Sequence, residues 1–325
     1  MGKTSIEWTD RSWPVVNGCR RISPGCGGAS GVGGCYAERL ASTRLSKTPK
    51  YRGLAVFGKN GPRWTGETRL WSKDLTMPLR LRKHSKIFVC DMGDLFYEGV
   101  PDEVIDRVFA VMAICAMHDT KPSHIFQVLT KREKRAREYM TTLLADRQAR
   151  YGRIAGQMME DGDRWADAMT AMPWPLPNVW LGVSVENQEY ADARIHELLR
   201  TPTVVRFVSY EPALGRVDFT KHMPSRGFGW EKTGLDWVIA GGESGPGARP
   251  FDVDWARDAV LQCRDAGVPC FVKQIGTNAH DSRRTMVGGW EPGDPEPDTR
   301  IRVKRKGSDM ADWPPEIRVR EFPKP

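Results

Sequence analysis

The chain has 325 residues, 40% of them hydrophobic and 28% charged. That balance excludes wholesale disorder and suits one large α/β domain or about two smaller ones. Forty-nine Lys and Arg against 41 Asp and Glu give a net charge of +8, which suits a polyanionic partner such as nucleic acid and equally a merely basic surface.

No apolar run reaches the ~18 residues that a membrane span needs. The opening, Met1 to Ile6, lacks the apolar core of a signal peptide. Ile6 also stands where N-myristoylation requires Ser or Thr. Seven cysteines, odd in number and unevenly spread, argue against a disulfide scaffold. A cytoplasmic protein with reduced thiols and no membrane partner is expected.

An early strand is predicted around Ile6 to Trp8, and residues 46–75, rich in Lys, Gly, Arg and Trp without a period, read as a long loop. Lys86 to Cys90 reads as a strand, closed by the turn residues Asp91 to Asp94. Pro101 and Asp102 open a helix. Val104, Ile105, Val108, Phe109, Val111, Met112 and Cys115 follow at helical spacing, predicting one buried stripe. Ile125 to Leu129 is a second strand, followed by a charged helix from about Arg132 to Leu144. Residues 150–178 hold a helix and then a Pro-stiffened connection, Met172 to Asn178. Further strands are predicted at Val179–Val185, Val204–Ser209, Asp236–Ala240 and Pro269–Lys273. One helix runs to Leu199 and another from Phe251 to Asp265. The tail from Gly288 reads as a cap.

Repeated β/α units call for parallel strands joined by right-handed crossovers. The near-continuous apolar character of the strands fits a sheet covered on both faces. The expected fold is therefore α/β, a parallel (β/α) barrel or partial barrel of about six to seven units. The chain offers no mid-chain linker, so residues 1–325 are expected to form one domain.

Polar residues recur where each strand ends, which in a parallel barrel is the face where functional loops converge. They are Asp91 and Asp94; Thr130, Lys131 and Arg132; Ser184, Glu186 and Asn187; Tyr210, Glu211 and Pro212; Gly241 to Gly247 with Glu243; and Lys273 with Gln274. Any one of them suits a helix cap or a turn. Six together predict a mouth lined for a polar ligand. The glycine run lacks both the P-loop ending and the dinucleotide spacing.

Four cysteines, Cys90, Cys115, Cys263 and Cys270, fall in predicted strands and helices and read as core packing. Cys19, Cys26 and Cys35 instead lie in a Gly- and Pro-rich stretch just before a helix starting near Tyr36. Three thiolates suit zinc with a fourth ligand, or an iron–sulfur cluster with one iron left open. The stretch has no His, and the nearest, His84, is distant in sequence, which favours the cluster.

Cys19, Cys26 and Cys35-Tyr-Ala, early in a series of β/α units, resemble the cluster loop of radical S-adenosylmethionine (SAM) enzymes. The whole chain is similar to the phage-associated three-Cys-motif proteins. Segments carrying that likeness include Ile6 to Asp10, Ser23 to Cys26, Cys35 to Glu38, Asp94 to Phe96, Val128 to Lys131, Leu181 to Asn187, Glu211-Pro212, Gly241 to Gly247 and Lys273-Gln274. The departure lies between Cys26 and Cys35: eight residues, five of them glycine, where the familiar pattern keeps two.

The resemblance implies that Cys19, Cys26 and Cys35 ligate a [4Fe–4S] cluster whose open iron holds SAM. Reduction by a partner such as flavodoxin or ferredoxin would cleave SAM, and the resulting radical would take hydrogen from a substrate. Tyr36 of the cysteine motif, with Asp94, Lys131, Ser184, Glu186 and Asn187 by strand-end position, would hold SAM, and Glu211, Glu243 and Lys273 would face the substrate. Nucleic acid is the substrate class suggested by charge, with Arg52, Arg63, Arg69, Trp64 and Trp71 available for phosphates and stacking. Two other readings stay open: a non-catalytic, zinc-stapled nucleic-acid-binding protein, and an enzyme whose cluster is only structural.

Overall fold

A computed structural model describes residues 2–27, 34–117, 123–142, 144–224, 234–285, 299–304 and 306–324. Eight strands form its main sheet: β1 (Gly2–Lys3), β2 (Arg11–Trp13), β3 (Lys86–Val89), β4 (Ile125–Thr130), β5 (Val179–Val185), β6 (Val205–Tyr210), β7 (Trp237–Gly241) and β8 (Cys270–Gln274). Their hydrogen-bonded order is the chain order, β1 to β8. The pair β1–β2 is antiparallel. The pairs β2–β3, β3–β4, β4–β5, β6–β7 and β7–β8 are parallel. An order without a reversal lacks the switch point of a doubly wound sheet. The protein is thus α/β with a mostly parallel sheet.

The helices between strands are α1 (Tyr36–Ser42), α2 (Asp102–Met117), α3 (Glu133–Met140), α4 (Leu144–Met158), α5 (Gly162–Ala168), α6 (Gln188–Leu199) and α7 (Val253–Ala266). The chain groups into two compact units. The first is Met1–Ile22, Cys35–Val183 and Arg200–Arg206; the second is Ser23–Gly34, Ser184–Leu199 and Phe207–Pro325.

In the first unit β3, β4 and β5 bury nearly every side chain, as strands covered on both faces must. Helix α2 buries more than the predicted stripe, with Val108 to Cys115 wholly inside. The reason is α4, whose Tyr151 stacks on Phe109 at 6.3 Å and 20°. The predicted helix from about Arg132 to Leu144 forms, but ends earlier, at Met140; α4 then begins at Leu144. Thr141 turns its hydroxyl back to the Arg137 carbonyl at 2.8 Å, a local bond that competes with helix continuation.

Ile6 to Trp8 forms a turn rather than the predicted strand. The Thr4 hydroxyl accepts from Ile6 N–H at 3.2 Å, and the Thr9 N–H reaches back to the Ile6 carbonyl. Buried Trp8 packs against Phe88, ring centroids 4.8 Å apart. Residues 46–75 are also not one loop. Ala55–Gly58 pairs antiparallel with Gly61–Trp64 across the two-residue connection Lys59-Asn60, the length that closes a tight hairpin. Arg69–Leu70 pairs with Val16–Asn17, and Ser72–Leu75 is a helical turn.

In the second unit β7 is buried throughout. Asp252 caps α7 by accepting from Asp254 N–H at 3.1 Å, and Gly267, with φ at +68°, ends that helix. The tail supplies a further ladder on β8: Val272 N–H donates to Val319 O and Glu321 N–H to Cys270 O. That pairing covers backbone groups that an edge strand would leave open. Phe322 packs at 5.3 Å from Phe271 and 5.4 Å from Trp237. The Pro- and acid-rich part of the predicted cap, 286–298, lies outside the described residues. Among the described residues no helix is long and apolar enough to cross a membrane.

Candidate functional site

In the first unit, the position of Cys19 is set by the residue before it. Gly18 has φ at +93°, and a Cβ there would lie 2.1 Å from the Glu67 carbonyl oxygen, so only glycine fits. Its N–H donates to Met92 O at 3.0 Å, and it bridges Gly93. Cys19 therefore leaves the backbone beside the turn that follows β3.

Asp94, in that same turn, is buried and its carboxylate is fully engaged. One oxygen accepts from the Thr130 hydroxyl at 2.7 Å and Phe96 N–H at 3.0 Å; the other accepts from Lys131 N–H at 2.9 Å. The Arg132 guanidinium stands 3.7 Å away, donates to Arg20 O at 2.7 Å and lies over the Tyr97 ring at 5.2 Å. The ends of β3 and β4 are thereby tied to each other and to the residue after Cys19. Lys131 is half-buried.

Cys35 is the N-cap residue of α1. Tyr36 is 50% exposed and its hydroxyl donates to Asp91 O at 2.5 Å. Burial pushes the Asp91 carboxyl up to about 6, against the Ser12 hydroxyl and the Lys50 ammonium, which lower it. Glu38, fully buried, grips Arg21 with Nε at 2.9 Å and Nη2 at 2.5 Å and accepts from Trp64 N–H at 2.6 Å.

The second unit anchors the segment carrying Cys26 through two more strand-end carboxylates. The Ser23 hydroxyl donates to Glu186 at 2.7 Å and lies 3.8 Å from the Cys26 sulfur. Glu186 is fully buried, and Arg194, on α6, donates to it at 3.1 Å and to Ser184 O at 2.6 Å. Glu243 accepts from Gly34 N–H at 2.8 Å and from Arg249 Nε at 2.9 Å, while Arg249 Nη1 donates to Pro24 O at 2.7 Å. One ion pair thus clasps both Pro24 and Gly34. Burial alone would raise the Glu243 carboxyl, but Arg249 and the Gly34 and Arg249 N–H groups outweigh it and hold the carboxyl below its usual range.

Glu211 and Lys273 meet at 2.6 Å, each side chain 16% exposed. Glu211 directly follows β6 and Lys273 lies in β8, on either side of β7, and glycine at the end of β7 permits this. A Cβ at Gly241 would sit 3.3 Å from Gln274 O and 3.5 Å from Glu211 Oε1. Asn187 caps the start of α6, its side-chain oxygen accepting from Tyr190 N–H at 3.2 Å.

Within one unit, then, Asp94 and Lys131 come together through the turn after β4. Within the other, Ser184 and Glu186 share Arg194, and Glu211 meets Lys273. The partners Arg21, Glu38, Arg194 and Arg249 were not picked out as site residues. Arg194 had a readable signal: it shares the buried stripe of α6 with Ala191, Ile195 and Leu198, where a cation needs a buried anion.

The seven cysteines divide sharply. Cys90, Cys115, Cys263 and Cys270 are 5% exposed or less, whereas Cys19, Cys26 and Cys35 are partly exposed, and all seven are free thiols. Cys19 and Cys35 belong to the first unit and Cys26 to the second.

Residues 3–311 match a family model described as "Protein of unknown function (DUF5131)". The chain belongs to DUF5131. None of the curated proteins and none of the solved structures matches it. In this DUF5131 chain the matched span takes in all three partly exposed cysteines and every strand-end carboxylate described above. Among the described residues, no three or more His, Cys, Asp or Glu stand grouped as metal ligands. Three partly exposed thiols would suit an iron–sulfur cluster by donor chemistry, but the described residues do not gather them as a ligand set.

Proposed function

We propose that this DUF5131 protein is a radical SAM enzyme on a partial (β/α) barrel, with Cys19, Cys26 and Cys35 holding a [4Fe–4S] cluster. When bound and reduced, the cluster supplies the electron for cleavage of SAM and hence for hydrogen abstraction from a substrate. A flavodoxin or ferredoxin of the cytoplasm would be the donor, and nucleic acid the substrate class.

The observation that carries the reading is the contrast among the cysteines. Four are buried in the core, and the three in the glycine-rich stretch are partly exposed. That stretch is pinned next to its thiols by three carboxylates: Glu38 on Arg21, Glu186 on Ser23, and Glu243 on Gly34. A solvated loop has no need of three such anchors. A metal-binding segment does, because supporting hydrogen bonds orient the ligands.

On this reading the Lys131 ammonium pairs with the SAM carboxylate, Ser184 and Asn187 hold the ribose, and exposed Tyr36 is a further SAM contact. Asp94 and Glu186 serve SAM by fixing their neighbours, since their own oxygens already accept buried donors. Glu243 closes the substrate side while clasping the cysteine segment. The Glu211–Lys273 ion pair faces the substrate, which Lys273 Nζ can reach with a hydrogen bond.

Anaerobic protein reduced with dithionite in the presence of SAM is expected to release 5′-deoxyadenosine, measured by liquid chromatography and mass spectrometry. Cys35→Ala should abolish it. Iron-loaded wild type that releases none would sink the reading.

A further inference from the structure

We infer that the hairpin Ala55–Trp64 is a single-stranded nucleic-acid-binding element, using Phe57 for base stacking and the surrounding cations for phosphates. The inference names the surface that would take the substrate class proposed above, and it stands independently of the cluster.

The first observation is composition. From Arg39 to Gly66 the chain carries seven basic residues and no acidic one. The second is placement. Tyr51, Ala55 and half-buried Trp64 pack with Ala37 and Ala41 of α1 into one apolar cluster, which makes the base of the hairpin rigid. Beyond that base the same hairpin leaves its apolar side chains in water: Val56 is 54% and Phe57 62% exposed.

Two adjacent apolar side chains held out by a rigid hairpin offer a surface to an outside occupant. Charge chooses among occupants. Arg44, Lys47, Arg52 and Lys59 are exposed, and Arg63, cross-strand from Val56, is half-buried. Among the described residues none of these five makes an ion pair with a carboxylate, whereas Lys50 is neutralised by Asp74 at 2.6 Å. An aromatic face amid unneutralised cations is the combination that stacks bases and tracks a phosphate backbone.

The structure also shifts the stacking role from the residues first expected to hold it. Trp64 is committed to the α1 cluster. Trp71 is partly buried, with the Lys73 ammonium 5.9 Å from its ring centroid. Arg69 is spent on the carbonyls of Pro49 and Lys50. Phe57 is the ring left open.

The test is fluorescence anisotropy of the full chain with labelled oligo(dT) and oligo(U) of about 20 nucleotides, over about 50–200 mM salt. Wild type is expected to bind, with affinity falling as salt rises. Phe57→Ala should weaken binding about tenfold and leave the salt slope unchanged. Arg52→Glu with Lys59→Glu should lower the slope by about 1.4, since each single-strand phosphate contact contributes ~0.7. Far-UV circular dichroism should be unchanged, because every substituted side chain is exposed.

The Cys19/Cys26/Cys35→Ala variant should bind as wild type does, so loss of the cluster reading and loss of this one are distinguishable. Absence of binding at low salt, or binding indifferent to these substitutions, overturns the inference. So does Phe57-dependent binding to phosphatidylserine-containing vesicles with none to oligonucleotide, which would make the hairpin a membrane-surface element.

Discussion

Replacing Glu186 with Ala is expected to lower the unfolding free energy by about 3–5 kcal/mol, the cost of stranding a buried charge. Glu186 is fully buried and its partner Arg194 has 3% of its side chain exposed, so the guanidinium cannot turn to water. The Ala variant removes the carboxylate that balances it, while the Ser184 carbonyl, which is neutral, remains. It also removes the Glu186 acceptor of the Ser23 hydroxyl, which lies 3.8 Å from the Cys26 sulfur. Two effects are therefore expected together. Denaturant midpoints should fall, and amide exchange should rise from Ser23 to Cys26 before any global opening. Glu186→Gln, which keeps an acceptor for Ser23, should restore the second effect more fully than the first. A loss below about 1 kcal/mol for Glu186→Ala would show that the ion pair is not the anchor its burial implies.

Asp94→Ala is expected to cost about 3 kcal/mol, because it orphans several buried donors at once. The Thr130 hydroxyl and the N–H groups of Phe96 and Lys131 lose their acceptor, and Arg132 loses the carboxylate 3.7 Å away. Lys131 lies in the turn that Asp94 holds, so the same variant should weaken SAM binding, read by calorimetry at a temperature where the variant is folded. Asp94→Asn keeps one acceptor but turns an NH2 toward N–H and guanidinium donors, so partial loss is expected. Unchanged stability in urea would remove Asp94 as the joint between β3 and β4.

The strands were largely legible in the sequence because a covered parallel sheet writes itself as short apolar runs. Ile125 to Leu129 and Val179 to Val185 were found almost to the residue. The short polar pairings were not. Arg11–Trp13 and Arg69–Leu70 have only two or three residues each, too few for a period. The hairpin at Ala55–Trp64 turns on Lys59-Asn60 between paired Gly58 and Gly61, a signal lost within a glycine-rich stretch. The second face of α2 was invisible because it depends on α4, a partner supplied by tertiary structure.

The candidate site divides in the same way. Strand-end residues could be read from strand order alone, and the distinction between partly exposed and buried cysteines from local composition. What each carboxylate grips could not. Glu243 reaches Gly34, and Glu186 reaches Ser23, only because the chain returns. These long-range bonds recast two presumed ligand contacts as anchors of the cysteine segment. They also bear on the long Cys26–Cys35 spacing, since Pro24 and Gly34 are fastened to one ion pair.

The central claim is that Cys19, Cys26 and Cys35 hold an iron–sulfur cluster. Its most direct test is iron, zinc and acid-labile sulfide analysis of anaerobically purified wild type beside the Cys19/Cys26/Cys35→Ala variant. The account predicts about four irons and about four sulfides per wild-type chain and neither in the variant. One zinc per chain with no sulfide would contradict it.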